Sequence, residues 1–277
     1  MKENSPIVRQ RTERPDLSLF PNLLYLGPQR TGSTWLHANL SRHPEVHLHR
    51  DKETFYFSTL GHPQAPRYRF EFLEDYLASF DEGPFELLLK NYHALRRCGC
   101  FYRPKVRGDF TASYGVLGEE VIAQIVRFHP DIRGIILVRD PVERAWSHAK
   151  KDLVRGRAQE ASAAEMLAFI SSPDQLARAD YGGIIERWRW HLLPGHLFVA
   201  PHARITTDPA ALLDDINDFL GIRRVGGASR RHVTTRQNVT GNTGIPASLH
   251  DPVEALLAPA RAACRELLRE IGRGRIY

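Results

Sequence analysis

The sequence predicts an α/β protein of three layers, with a central, mostly parallel sheet between two layers of helices. Two observations carry that expectation. Short apolar runs alternate along the chain with longer stretches of helical apolar spacing, the rhythm of β–α units. Two of those runs, at 22–27 and 134–141, end in turn signals that lead straight into a helix-like stretch. Ligands of α/β sheets bind at such carboxyl ends of strands.

Taken in order, NLLYLG (22–27) reads as a strand, and GSTWLHANLSRHP (32–44) follows as a helix that must stop near Pro44. VHLHR (46–50) is a second short strand. RFEFLEDYLASF (69–80) and LGEEVIAQIVRFHP (117–130) have helical spacing. GIILVRDP (134–141) is a buried strand, and ERAWSHAKKDL (143–153) continues as a helix. YGGIIERWRWHLL (181–193) is helical, HLFVAPHARI (196–205) is strand-like, and DPAALLDDINDFLGI (208–222) is a helix closed by Gly221. With 42% apolar residues in 277 and no linker-like stretch, residues 21–277 read as one domain behind a flexible arm at 1–20.

Bulk properties narrow the function. The formal charge of +6 suits an anionic ligand. No zinc-finger spacing or RNA-binding aromatic motif supports nucleic acid as the partner. Cys98-x-Cys100 lacks a second ligand pair, so no metal is expected there. No long apolar run or signal-peptide core is present, so a cytoplasmic protein without stable membrane insertion is expected.

The first strand runs into Gly27-Pro28-Gln29-Arg30-Thr31-Gly32-Ser33-Thr34. Backbone N–H groups at a helix start form an anion site, and glycine lets the chain close around oxygens. A nucleoside triphosphatase carries G-x-x-x-x-G-K-[ST], and here Ser33 stands at the lysine position. The cation is instead Arg30, inside the turn, which fits a reacting group less charged than a γ-phosphate. Farther on, a strand delivers Arg139 before Asp140-Pro141, and Ser147 follows on the next helix. An arginine fork and a serine suit a second phosphate.

These two stretches resemble the nucleotide motifs of sulfotransferases that use 3′-phosphoadenosine 5′-phosphosulfate (PAPS) and release 3′-phosphoadenosine 5′-phosphate (PAP). The first is similar to the 5′-phosphosulfate loop [PRK]-K-x-G-[ST]-[ST], with Arg30 in place of lysine. The second is similar to the 3′-phosphate motif R-[DN]-P-x-x-R-x-x-S. The resemblance spans about residues 22–225, closest to the heparan-type and bacterial enzymes, and implies the P-loop NTPase-like sulfotransferase fold. It implies that Gln29, Arg30, Thr31, Gly32, Ser33, Thr34, Arg139 and Ser147 bind the nucleotide. Trp35 either stacks on adenine, as in cytosolic members, or packs its helix. Arg144, one turn beyond the motif, reads as a solvated or salt-bridged helix charge.

Asp51-Lys52-Glu53-Thr54-Phe55-Tyr56-Phe57 resembles the K-E-x-x-[FY]-F segment of heparan-type enzymes. That resemblance makes Glu53 the general base, with Lys52 and Arg30 on the leaving oxygen. His93 and Asp109 are the runner-up bases. Gly108 to Tyr114 looks like E-K-[ST]-P-x-Y, except that Phe110 replaces the lysine, which hints at a less charged acceptor. Arg230, Arg231 and Arg236, in a basic loop at 228–246, are candidates to cover the 3′-phosphate. The aromatic, basic stretch at 60–107 is expected as an insertion shaping the acceptor pocket. The resulting expectation is sulfuryl transfer from PAPS to a hydroxyl or amine of a small molecule, glycolipid or sugar, as in secondary metabolism. A P-loop kinase-like phosphotransferase and a non-catalytic nucleotide-binding protein are the alternatives.

Overall fold

The computed structural model describes residues 7–154, 161–225 and 244–273. Five strands form its centre: β1 (Leu23–Gly27), β2 (Val46–Leu48), β3 (Val106–Asp109), β4 (Arg133–Val138) and β5 (Leu197–Pro201). They lie in the order β2-β3-β1-β4-β5, and every pairing is parallel. The expected sheet is therefore present, and among the described residues it is parallel throughout.

The strands are joined by α1 (Ser33–Leu40), α2 (Leu73–Ala78), α3 (Pro84–Cys98), α4 (Glu119–Phe128) and α5 (Pro141–Ala149). Then come α6 (Ala163–Ile170), α7 (Pro173–Ala177), α8 (Tyr181–His191), α9 (Arg204–Thr207), α10 (Pro209–Leu220) and α11 (Ala247–Gly272). Side chains alternate across a strand, so each strand serves two cores. Leu24, Leu26, Ile136, Val138 and Val199 meet Ile122 and Ile125 of α4, Ile184 and Trp188 of α8, and Leu267 of α11. Leu23, Tyr25, Ile135, Leu137 and Ala200 face the other way, onto Leu36 and Leu40 of α1 and Leu212 and Ile216 of α10. Those two sides make the three layers.

The strand order also fixes where a ligand fits. From β1 the chain crosses by α1 toward β2 at one edge, whereas from β4 it crosses toward β5 at the other. The carboxyl ends of β1 and β4 thus flank the switch point, the crevice where α/β sheets bind ligands.

Three expectations change. Residues 7–20 are packed rather than a free arm: Val8 and Phe20 are buried, and Arg11 pairs with Asp75 at 2.5 Å. The stretch 60–107 is more than an insertion, because Tyr76 and Phe80 lie in the core and Val106 opens β3 beside β1. Its helix begins only at Leu73, and a second helix, α3, follows it. Of the expected strand 196–205, residues after Pro201 turn into α9.

Candidate active site

The loop after β1 is held in shape by its own residues. Gly27 has φ 74°, and a Cβ there would lie 2.0 Å from the carbonyl oxygen of Ala112, so only glycine fits. Thr31 is fully buried; its hydroxyl donates to the Pro28 carbonyl at 2.6 Å and meets the Tyr25 hydroxyl at 2.7 Å. The Thr31 side chain therefore closes the loop from inside. Gly32, at φ 95°, caps α1, and Ser33 and Thr34 occupy its first two positions. Unsatisfied N–H groups at a helix start favour an anion.

The two sequence motifs meet here. Arg30 Nε donates to Ser147 Oγ at 2.8 Å, and Arg139 Nη1 donates to the Arg30 carbonyl at 3.0 Å. Arg30 itself has φ 71°, a left-handed conformation that costs an ordinary residue about 1 kcal/mol and is held by these partners. Arg139 also pairs with Glu143 at 3.3 Å, and its backbone N–H donates to the Tyr181 hydroxyl at 3.2 Å. Asp140 is spent on structure: it caps α5 through the N–H groups of Val142 and Glu143 and pairs with Arg261 at 2.6 Å.

More cations converge than the motifs name. Arg178 pairs with Asp174 at 2.6 Å and donates to Gln29 Oε1 at 2.7 Å, fixing the loop from α7's side. Lys150 and Lys151 lie in a π-helical turn, Lys150–Val154, that follows α5. Burial lowers the Lys150 ammonium, and repulsion from Arg30 and Arg139 adds to the effect. Arg144, expected as a surface charge, is fully buried; its Nη atoms reach Gln175 at 3.2–3.3 Å and, among the described residues, no carboxylate. Burial accordingly pulls its guanidinium down to about 10. His202, at the end of β5, is held neutral to about 4 by burial and by Arg139.

The segment Lys52–Phe57 hangs from a buried carboxylate. Asp109 is fully buried and accepts four hydroxyls: Thr54 at 2.6 Å, Tyr76 and Tyr114 at 2.8 Å each, and Thr111 at 2.7 Å. With its oxygens so occupied it is no accessible base, which corrects that runner-up reading; it anchors Thr54. On either side of Thr54 the backbone is left-handed, at φ 69° for Glu53 and φ 59° for Phe55. This turn brings Glu53 between Lys52 Nζ at 3.4 Å and Arg67 Nη1 at 3.7 Å. Burial lowers the Lys52 ammonium against the pull of Glu53, and Lys151 and Arg30 repel it further. Lys52 thus shares one electrostatic site with the loop arginine.

Other candidates lie elsewhere. His93 sits on the exposed side of α3 against Tyr92, so it is a surface histidine and no base of this site. Trp35 is 3% exposed within the α1–α10 core, so packing is its role and adenine stacking is not. Phe110 is likewise core, stacked on Tyr25 at 5.4 Å. Arg230, Arg231 and Arg236, and with them most of the loop 228–246, lie outside the described residues. Sequence reasoning missed Arg178, Lys150 and Lys151. The i,i+4 pair Asp174–Arg178 is visible in the sequence, but nothing local says that it reaches Gln29.

No family model matches the chain. Among curated proteins, human bifunctional heparan sulfate N-deacetylase/N-sulfotransferase 3 is 25% identical over 224 residues, 73% of this chain and 22% of that protein. Mouse heparan sulfate glucosamine 3-O-sulfotransferase 3B1 is 30% identical over 123 residues, 42% of this chain and 31% of that protein. The chain thus spans less than a third of the length of either relative. Among solved structures, a sulfotransferase from Alicyclobacillus acidocaldarius superposes with a TM-score of 0.65 at 21% identity, over 90% of this chain and 96% of that one. At that identity the likeness is one of fold.

Proposed function

Starting from a chain that is related to the sulfotransferases in sequence and shares their fold, we propose that it transfers a sulfuryl group from PAPS to an acceptor hydroxyl or amine. The observation that carries this reading is the contact between its two anion motifs, Arg30 to Ser147 at 2.8 Å and Arg139 to the Arg30 carbonyl at 3.0 Å. Residues more than a hundred positions apart meet in one cationic cluster at the switch point, which suits a ligand with two anionic groups. The start of α1, with Arg30 and Lys52, would receive the 5′-phosphosulfate. Arg139 and Ser147 would receive the 3′-phosphate.

Glu53 is then the general base. The acceptor oxygen or nitrogen attacks sulfur as Glu53 takes its proton, and the bond from sulfur to the phosphate oxygen breaks, leaving PAP. Lys52 and Arg30 stabilise the charge gathering on that leaving oxygen. Positioning and electrostatics of this kind supply most of the catalysis in the analogous phosphoryl case. Because Phe110 is buried where heparan-type enzymes carry a lysine, a weakly charged small molecule, glycolipid or sugar is the proposed acceptor class.

Phosphoryl transfer is the poorer reading. Ser33 fills the position of the P-loop lysine, and Asp140, the aspartate after an inner strand, is held by α5 and Arg261. The test is incubation with [³⁵S]PAPS, and in parallel with [γ-³²P]ATP, against a panel of hydroxyl and amine acceptors. Label from PAPS alone supports sulfuryl transfer, and label from ATP overturns it. Tight PAP binding without turnover on any acceptor would instead favour a non-catalytic nucleotide-binding protein.

A further inference from the structure

Helix α3 is built inside out. Toward the body it presents Lys90, Asn91 and the buried Ala94. Lys90 Nζ pairs with Glu82 at 2.5 Å and Glu86 at 2.9 Å, and Asn91 accepts the Tyr102 N–H at 3.1 Å. Glu82 also accepts the Tyr102 hydroxyl at 2.9 Å and meets His47 of β2 at 3.2 Å. Burial would raise the Glu82 carboxyl, but hydrogen bonds from His47 and Lys90 hold it at about 2. A mostly polar clasp thus fastens the helix to the sheet's edge strand.

Its apolar side faces out. Phe85 is 72% exposed, Leu88 66%, Leu89 42%, Tyr92 51% and Leu95 44%, with Phe101 at 58% just past the helix end. At about 100° per residue these helix positions form one stripe roughly 120° wide, the face that a helix ordinarily sinks into a core. Clustered large apolar side chains on a surface mark an interaction site.

At the carboxyl end of the helix the charges have one sign. Arg96 lies over the Tyr92 ring at 5.8 Å and donates to its hydroxyl at 3.1 Å. Arg97, Arg103 and Arg42 adjoin the same end of the helix, and none of the three is ion-paired among the described residues. Arg42 and Arg97 stand close enough to repel each other. Glu86, the acidic residue on α3, is neutralised by Lys90.

We propose that α3 with Phe101 is a docking surface for an anionic lipid bilayer. The apolar stripe enters the acyl boundary, Tyr92 and Arg96 lie at the headgroup level, and Arg42, Arg97 and Arg103 meet lipid phosphates. Interfacial helices bind by this sum of apolar burial and electrostatic attraction. The polar clasp presents the stripe already folded, so no ordering need accompany docking. This inference stands on the surface alone and does not depend on the sulfuryl-transfer reading.

The test is co-sedimentation of the full chain with phosphatidylcholine vesicles, with and without phosphatidylglycerol, alongside light scattering of the free protein. Binding to the anionic vesicles that weakens with salt is expected, with Leu88→Glu and Arg97→Glu each weakening it roughly tenfold. Both side chains are exposed, so the fold should be unchanged by circular dichroism. Failure to pellet with anionic vesicles, or binding that neither substitution affects, overturns the proposal. A dimer that Leu88→Glu dissociates, without vesicle binding, overturns it in favour of a second copy of this chain.

Discussion

Replacing Thr54 with valine removes one hydroxyl while nearly conserving volume, and it isolates what the Asp109 network does. In the intact protein Thr54 Oγ1 donates to Asp109 Oδ2 at 2.6 Å, and three other hydroxyls share the carboxylate. A hydrogen bond to a charged group contributes about 1.5–3 kcal/mol, and the three remaining donors should keep the loss near the lower end. For a domain of this size that is a fall in Tm of roughly 3–6 °C. The larger consequence should be local. Glu53 and Phe55 are both left-handed and are tied through Thr54, so loss of the tie lets Glu53 relax away from Lys52. Turnover is expected to fall by about tenfold or more, because displacing a catalytic group is costly in rate. PAP affinity should stay within roughly threefold, since the phosphate loop does not hang on Thr54. Scanning calorimetry, calorimetric PAP titration and initial rates on one preparation separate these effects. Full turnover in a measurably destabilised variant would refute the claim that this network positions Glu53. Parallel losses of PAP affinity and rate would refute it too.

Two further outcomes follow. Glu53→Gln should leave PAP binding nearly intact and lower turnover by about 10²–10⁴-fold, and an active variant would remove Glu53 as the base. Stability should depend on pH through His37 and His202, which burial above all lowers to about 4 against about 6.5 when unfolded. Between those values the unfolded chain binds more protons, so their contribution is complete above pH 6.5 and is lost as pH falls toward 4. Urea titrations from pH 7 to 5 should lose on the order of 2 kcal/mol after allowance for partial solvent exposure, and His37→Phe should flatten the slope. A flat profile in the parent protein would contradict the buried, neutral assignment.

How much of this was legible in the sequence depended on locality. The β1 loop and the Arg139–Ser147 stretch are continuous in the chain, so strand, turn and helix signals located both candidate anion sites. Burial was not legible. Thr31, Trp35 and Asp109 occupy motif positions, yet each faces inward for reasons that only the folded chain sets: the Tyr25 hydroxyl, the α10 core, and the hydroxyls of Thr54 and Tyr76. Arg178 acts through Gln29, which is 149 residues away, and no local pattern announces that. Helix α11 escaped because Pro252 and Pro259 lie within it, although Leu249, Val253 and Leu257 keep helical spacing. The stripe of α3 had readable periodicity, but an apolar helix face is ordinarily taken as core, and only the structure turns it outward.

The central claim is that Arg30, Arg139 and Ser147 form one site for a nucleotide with separate 5′ and 3′ anionic groups. Calorimetric titration of the full chain and its Arg139→Ala variant with PAP and with ATP tests it most directly. PAP should bind at micromolar levels or tighter, and ATP much more weakly. Arg139→Ala should lose about tenfold to a hundredfold in PAP affinity, the equivalent of one charge-assisted contact. Absence of PAP binding, equal affinity for ATP, or PAP affinity indifferent to Arg139 would contradict it.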